Sequence, residues 1–278
     1  MVCKSVSRGL YSQKSCVGKK QLPMTFSTLT FNMQNGQPWD EAAPDDIRIE
    51  LEQTAKFLSG QEADVIFLQE VEQGFNGGDQ IDPPPNYSFL RKHLKGYDSV
   101  FAYPVPNQTE IPFGLGLAIF SKSKLRGFRK MDLPAAGLEF EFEGVVREPS
   151  QRLLISAETV IQGREVRLLD THLQAFFMIG STSSEHPAQR DAIEAELRLQ
   201  RGPAILAGDL NCAPGEGVLE QFERAGFRTA QNTEVTWRRM PYVLDHLLYN
   251  AHLRLENHAV IPTPASDHHA VRGDFSFA

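Results

Sequence analysis

Polar residues follow largely apolar runs at six places in this sequence, where a hydrophobic core would offer them no partner. A single Asp or Asn at the end of a strand is usually a turn former, because its side chain bonds nearby backbone groups. Six recurrences favour a shared site instead, since strand ends that open onto one edge of a sheet are where enzymes collect functional groups. The residues are Asn32, Glu70, His172, Asp209 with Asn211, Asp245, and Asp267 with His268.

The types of these residues agree on one chemistry. Carboxylates and a carboxamide are hard oxygen ligands suited to Mg²⁺, with Mn²⁺ or Ca²⁺ as alternatives, and no cluster of cysteines is present for structural zinc. Hydrolysis of a phosphoester needs a cation to neutralise the phosphate, a base to activate water, and donors for the charge that develops. The sequence offers Asn32 and Glu70 for the metal, Asp209 for the base, and His172, Asn211 and His268 as donors.

The elements that must position these residues alternate between strands and helices from Thr25 onward, without a linker or a repeat. The apolar run DVIFLQE (64–70) is typical of a strand buried on both faces. Helical spacing in 45–60 predicts a helix that begins at Pro44 and Asp45, whereas glycines and prolines predict loops over 73–86 and 104–114. The mixture predicts one α/β (α+β) domain, in which two sheets pack face to face with helices outside.

Seven short motifs resemble, in order, those of the endonuclease/exonuclease/phosphatase superfamily, which includes DNase-I-like nucleases, neutral sphingomyelinases and inositol-polyphosphate phosphatases. They are TFNMQN (30–35), FLQEVE (67–72), LGLAIFSK (115–122), LDTHL (169–173), AGDLN (207–211), LDHLLY (244–249) and SDHHAV (266–271). One such motif can occur by chance, but seven in order cover essentially all of residues 25–278. The resemblance implies a catalytic domain there with the DNase-I-like, four-layer α/β/β/α sandwich of two mixed sheets flanked by helices.

The resemblance also implies the roles of individual residues in metal binding and water activation. Glu70 would bind the divalent metal with Asn32 close by, and Asp267 is similar to the family residue at the metal edge. Asp209 would orient or deprotonate the attacking water, and Asn211 would hold that water or a phosphoryl oxygen.

Two histidines are implied to act on the phosphate. His268 would contact the scissile phosphate, with Asp245 receiving its other ring hydrogen and fixing its tautomer. His172 looks like the second histidine of the nuclease and sphingomyelinase branches, placed to donate to the phosphate or to protonate the leaving oxygen. Abasic-site endonucleases have tyrosine there, so His172 argues against that branch.

Composition limits the partners and the location of the protein. The chain has 28 basic and 35 acidic residues, net −7, so it lacks the broad positive field of a protein that grips nucleic acid mainly through phosphates. Three cysteines and the lack of a long apolar run indicate a soluble, cytoplasmic protein. A monomer is compatible with the sequence, which does not determine the oligomeric state, and no protein partner is predicted. Five basic and no acidic residues predict a disordered tail over 1–24, with an organelle-targeting segment as the alternative.

The substrate stays open among phosphoesters of nucleic acid, nucleotides and phospholipid headgroups. If the segment QAFFMIG (174–180) is exposed, Phe176, Phe177 and Met178 form an apolar lip that can touch lipid or a stacked base, and if buried they belong to the core. The leading hypothesis is a phosphodiesterase or nuclease-type hydrolase, and a sphingomyelinase-like phospholipid phosphodiesterase is the second. A non-catalytic binding module is the third; it predicts a missing catalytic group, and none is missing from the sequence.

Overall fold

The computed structural model describes residues 24–45, 47–75, 77–108, 111 and 113–278. The tail expected over residues 1–24 lies outside the described residues, except for Met24. The strands of the described part are β1 (Phe26–Asn32), β2 (Val65–Gln73), β3 (Asp98–Ala102), β4 (Gly114–Ser121), β5 (Arg126–Asp132), β6 (Phe140–Phe142), β7 (Val145–Arg147), β8 (Leu153–Ile161), β9 (Arg164–His172), β10 (Ala204–Asp209), β11 (Phe227–Thr229), β12 (Asp245–Asn250), β13 (Leu253–Ile261) and β14 (Ala270–Phe277). The α-helices of that part are α1 (Leu51–Gly60), α2 (Pro85–His93), α3 (Ala188–Arg198) and α4 (Val218–Arg224).

The strands form two six-stranded mixed sheets and a small hairpin of β6 and β7. The first sheet has the order β13-β14-β1-β2-β4-β3, and the second has the order β11-β12-β10-β9-β8-β5. Each sheet contains one parallel pair, β1 with β2 and β9 with β10, and its other neighbours are antiparallel. The carboxyl ends of a parallel pair lie side by side, which brings the ends of four strands together where the two sheets meet.

Three hydrophobic clusters separate four layers. Between the sheets, Phe67 of β2 packs in one cluster with Ile205 of β10. Their sequence neighbours point outward: Leu68 packs with α1 and α2, and Leu206 packs with α3 and α4. Both strands are therefore buried on both faces, as their apolar runs predict, and the expected four-layer sandwich is confirmed.

The first helix is shorter than helical spacing predicts. It begins at Leu51 rather than at Pro44 and Asp45, and Ile47 is 74% exposed. The backbone N–H of Glu50 donates to the carbonyl of Gly36 at 2.8 Å, so a contact with a distant segment replaces the first predicted turns of the helix. The predicted loop over 73–86 is also too long, because Pro85 begins α2.

Candidate active site

The side chains singled out in the sequence lie together at the carboxyl ends of the two parallel pairs. Asn32 is the last residue of β1, and His172 is the last residue of β9. Asp209 is the last residue of β10 and pairs with Asp245, the first residue of β12. All four residues are at most 4% exposed. The two sheets therefore enclose a small polar centre at one end of a largely apolar interface.

Asn32 joins the two carboxylates of this centre. Its Nδ2 donates to Glu70 Oε1 and to Asp209 Oδ2, both at 3.0 Å. The Asn32 Oδ1 accepts the backbone N–H of Gln34 at 3.0 Å, which orients the amide. Ser266 anchors the same residue, since its hydroxyl donates to the Asn32 carbonyl at 2.8 Å.

Glu70 reaches the centre through a β-bulge. Alternation along β2 puts Gln69 toward the second sheet and would turn Glu70 away, but the register with β4 shifts by one residue between Gln69 and Glu72. Glu70 itself has a φ of +50°, in the left-handed region. Gly114 lies against the redirected side chain, where a Cβ atom would overlap with the Glu70 carboxylate and Cβ. The bulge and this glycine together aim Glu70 into the site.

Burial perturbs both carboxylates of this centre, Glu70 and Asp209. Desolvation by burial raises the pKa of Glu70, although the Asn32 hydrogen bond opposes that shift. Burial and the negative charge of Asp245 raise the pKa of Asp209, while His268 opposes it. Asp209 Oδ1 also accepts the backbone N–H of Asn211 at 2.9 Å. Ionising both carboxylates is costly without a nearby positive charge.

Asn211 stands directly behind Asp209 in a strained turn. Its φ of +46° lies in the left-handed region, and its Nδ2 donates to the carbonyl of Leu173 at 3.0 Å. The backbone N–H bond to Asp209 and the side-chain bond to Leu173 place Asn211 between the Asp209 carboxylate and the end of β9.

His172 is held by an arginine. Arg152 Nη1 donates to His172 Nδ1 at 3.0 Å, so the ring accepts at Nδ1 and carries its hydrogen on Nε2. That Nε2 lies 3.4 Å from Asp209 Oδ2 and 3.9 Å from Glu70 Oε1. Burial, then the charges of Arg152 and His268, hold the pKa of His172 well below its ordinary value. His172 is therefore a neutral donor facing the carboxylates.

His268 has the opposite charge state. Its Nδ1 donates to Asp245 Oδ2 at 2.8 Å, and its Nε2 lies 3.9 Å from Asp209 Oδ2. Burial alone would lower the pKa of His268, but Asp245, Asp267 and Asp209 outweigh it and raise the pKa to about 10. His268 is a protonated imidazole at neutral pH.

Asp267 lies at the edge of the site and has strong protein partners. Its Oδ2 accepts from Arg239 Nε at 2.9 Å and from Trp237 Nε1 at 3.2 Å. Its Oδ1 lies 3.9 Å from His268 Nε2. Within the described residues, two groups of three side chains lie as close together as the ligands of a metal ion: Glu70, His172 and Asp209, and Asp209, Asp245 and His268. Asp267 belongs to neither set.

Three functional side chains had weaker signals in the sequence. Arg152 is one of two arginines, with Arg147, that the sequence offers to a phosphate, and Trp237 and Arg239 lie in the basic segment TWRRMPY (236–242), whose charge alone is more typical of a solvated edge strand or helix face. Their roles depend on contacts between residues far apart in the chain, such as the 20-residue separation of Arg152 and His172. Alternation along β12 does turn His246 away from the site, toward Thr229 and Val243.

The segment 174–180 is divided between the core and the surface. Phe176 is 2% exposed and stacks on His186, with 5.2 Å between the ring centroids. Phe177 is half-buried, and Met178 is 59% exposed. In the described part of the chain, no helix has the length and apolar character needed to cross a bilayer.

Comparison with known proteins gives one family and one fold. The model of the Endonuclease/Exonuclease/phosphatase family matches residues 29–268. A UPF0294 protein from Yersinia enterocolitica serotype O:8 / biotype 1B is 26% identical over 237 residues, covering 81% of this chain and 79% of that protein.

Solved structures share the fold at low sequence identity. The endonuclease/exonuclease/phosphatase from Beutenbergia cavernae has a TM-score of 0.66 at 18% identity, covering 91% of this chain and 72% of that chain. The human Nocturnin catalytic domain with bound sulfate anion has a TM-score of 0.63 at 21% identity, covering 92% of this chain and 97% of that chain. The two six-stranded mixed sheets therefore form the DNase-I-like sandwich.

Proposed function

The chain belongs to the Endonuclease/Exonuclease/phosphatase family, and from that membership and the site geometry we propose that it is a divalent-metal-dependent phosphodiesterase. The observation that carries the proposal is the bridge from Asn32 to Glu70 and Asp209, beside two histidines in different charge states. The sulfate bound by the Nocturnin catalytic domain, which shares the fold, is a tetrahedral anion like phosphate.

The residues present fit a hard divalent cation. Glu70 and Asp209 present carboxylate oxygens around one Asn32 amide, and both have raised pKa values that a neighbouring positive charge would bring down. We assign Glu70 as the metal ligand, with Asn32 setting the separation of the carboxylates and Asp267 at the edge of the same site. A bound Mg²⁺ would neutralise phosphate oxygens and polarise the phosphorus centre.

Asp209 is the base of the proposed reaction. Its carboxylate takes a proton from the attacking water as the new P–O bond forms and the bond to the leaving oxygen breaks. Burial and the charge of Asp245 raise the pKa of Asp209, which offsets the loss of basicity that a neighbouring cation would cause. Asn211 fixes the carboxylate through its backbone N–H, and the second hydrogen on its Nδ2 can contact the water or a phosphoryl oxygen.

The histidines stabilise the negative charge that develops on the phosphoryl group. His268 supplies a positive charge, because Asp245 holds its Nδ1 hydrogen and keeps the ring protonated. His172 supplies a neutral N–H from Nε2, because Arg152 occupies its Nδ1. Preorganised donors of this kind cost no rearrangement during the reaction.

Hydrolysis of bis(p-nitrophenyl) phosphate tests the proposal. Turnover should require Mg²⁺ or Mn²⁺, stop with a chelator, and fall about 10²- to 10⁴-fold in Asp209→Ala and His268→Ala. His258→Ala, on the exposed strand β13, is the matched histidine control and should retain activity. Full activity in either site variant, or in excess chelator, would reject the mechanism.

The binding-module alternative predicts a different outcome of the same experiment. A protein that had lost turnover would show no chelator-sensitive release with any phosphodiester, yet would still bind Mn²⁺. All eight expected side chains are present, and the described structure brings them to one end of the sandwich, which favours the enzyme.

A further inference from the structure

We propose that Phe177, Trp237 and Tyr242 form a subsite for a planar aromatic group carried by the phosphodiester, such as a nucleobase. We call these three residues the aromatic wall. The inference rests on the proposed function, because the aromatic wall would bind a substrate only if the phosphate of that substrate is held in the neighbouring site. It narrows the substrate to a nucleotide-type diester and disfavours a lipid.

The wall is one continuous set of rings. Phe177 meets Trp237 edge to face with 5.8 Å between the centroids, and it meets Tyr242 edge to face at 5.5 Å. Trp237 also forms a backbone bridge with Tyr242. Phe177 and Tyr242 are half-buried, whereas Trp237 is only 7% exposed at the base of the wall. Rings fixed by their neighbours lose little freedom when a ligand stacks on them.

The wall is attached to the phosphate site on two sides. Trp237 pairs with His268 through a backbone bridge, its ring centroid lies 6.2 Å from that of His268, and its Nε1 donates to Asp267 at 3.2 Å. Phe177 lies on the segment that directly follows His172. The aromatic wall is therefore adjacent to the histidine end of the proposed phosphate site, within reach of a group bonded to that phosphate.

Phe177 is presented outward by its neighbour in sequence. Phe176 is buried against His186, which anchors the short helical turn Phe176–Ile179. With Phe176 fixed in the core, Phe177 lies half-buried in the aromatic wall and Met178 is exposed. Stacking on an aromatic side chain makes a base bind about 5- to 150-fold more tightly, whatever the base.

The exposed apolar surface around the wall is small for a lipid-binding surface. On the segments that carry the wall, residues 174–186 and 231–244, the exposed large apolar side chains are Met178, Val235 and Met240. The turn at 176–179 is followed by the polar run STSSE (181–185), and residues 25–278 carry a net charge of −12. Stable membrane docking needs either a larger apolar face or a basic patch.

A matched pair of substrates tests the subsite. Thymidine 5′-(methyl phosphate) and 2-deoxyribose 5-(methyl phosphate) differ only in the base, and product release is followed by chromatography. The wild-type enzyme should prefer the thymidine ester by about 10-fold in kcat/KM. Phe177→Leu and Tyr242→Leu should each remove most of that ratio, while Phe128→Leu, an exposed phenylalanine on β5, should keep it. Equal rates on the two esters, or an unchanged ratio in both wall variants, would overturn the inference.

A binding measurement separates this inference from the proposed function. The chain has two tryptophans, so Trp39→Phe leaves Trp237 as the sole tryptophan reporter. Thymidine 5′-monophosphate should quench its fluorescence, and ribose 5-phosphate should not. Quenching by the nucleotide without any turnover would contradict the proposed hydrolase activity but support the aromatic subsite. Turnover without quenching, or a response to phosphatidylcholine vesicles in place of the nucleotide, would overturn the subsite.

Discussion

At the scale of single residues, the site depends on two buried histidines kept in opposite charge states. The hydrogen bond from His268 Nδ1 to Asp245 favours the imidazolium, whereas the hydrogen bond from Arg152 to His172 Nδ1 favours the neutral ring. Each partner therefore sets what its histidine can offer to a phosphate, a positive charge in one case and a neutral donor in the other.

Asp245→Asn tests the charge of His268. In the metal-free wild-type protein, NMR titration should give His268 a pKa of about 10, and the variant should lower it because the largest favourable charge is gone. A raised folded pKa stabilises the protein fully below the unfolded value of about 6.5, and that stability is lost as the pH rises through about 10. The variant should thus lose roughly 1.5–3 kcal/mol of unfolding free energy at pH 6 and less at pH 9. A pH-independent loss would contradict this account.

Arg152→Met tests the tautomer of His172. Without the arginine, the pKa of His172 should rise, and ¹⁵N chemical shifts should show loss of the fixed Nε2–H form. We expect kcat/KM to fall about 10- to 100-fold, with its acidic limb displaced to higher pH. Arg167→Met, which breaks the pair with Glu158, is the matched control. An unchanged tautomer of His172 in Arg152→Met would contradict the proposal that Arg152 positions this histidine.

At the scale of elements, the ends of the parallel strands could be predicted from sequence and the bulge could not. Apolar runs that stop at Asn32 and Asp209 are visible in the chain, because burial on both faces requires them. The bulge at Glu70 depends on the one-residue shift in pairing with β4 and on Gly114, about 40 residues away. The position of Glu70 after an apolar run and the motif resemblance both identified it, but alternation alone would have turned its side chain outward. The predicted beginning of the first helix at Pro44 and Asp45 was wrong for a similar reason, since the carbonyl of Gly36 binds the backbone N–H of Glu50.

Gly114→Ala tests how the bulge aims Glu70. The new methyl would overlap with the Glu70 side chain, so the carboxylate must move away from Asn32. Calorimetric titration should show Mn²⁺ affinity reduced by about 10-fold or more. Gly60→Ala is the matched control, because nothing lies within 4 Å of a Cβ there and affinity should not change. Equal affinities in the two variants would contradict the role of Gly114.

At the scale of the whole molecule, the two sheets enclose polar groups that oppose stability. Asp170 is fully buried between the sheets, where its Oδ1 accepts from Gln69 Nε2 at 2.6 Å and its Oδ2 has no hydrogen-bond partner. Desolvation raises its pKa well above the ordinary value despite that hydrogen bond. The apolar runs of the sequence predicted the two-sheet sandwich, but they did not indicate that Asp170, inside the motif LDTHL, is buried between the sheets.

Asp170→Asn tests the cost of this buried acid. The folded chain keeps Asp170 protonated to higher pH than the unfolded chain, which ionises it from about pH 4 upward, so wild-type stability falls as the pH rises from about 4 toward the raised pKa. The amide of the variant cannot ionise, so its stability relative to the wild type should increase by up to about 1.4 kcal/mol for each pH unit over that range. Urea unfolding of metal-free protein measures this difference, with the exposed Asp79→Asn as control. A gap that does not widen with pH would contradict the assignment.

The central claim is that distant residues assemble one cation site at the end of the sandwich, with Glu70 beside Asn32 and Asp209. Anomalous diffraction from a crystal grown with Mn²⁺ locates that cation directly. We predict a strong peak about 2.0–2.4 Å from a carboxylate oxygen of Glu70, on the side facing Asp209 and His268, and its loss in Glu70→Gln. A peak elsewhere on the protein with none at Glu70 would contradict the account.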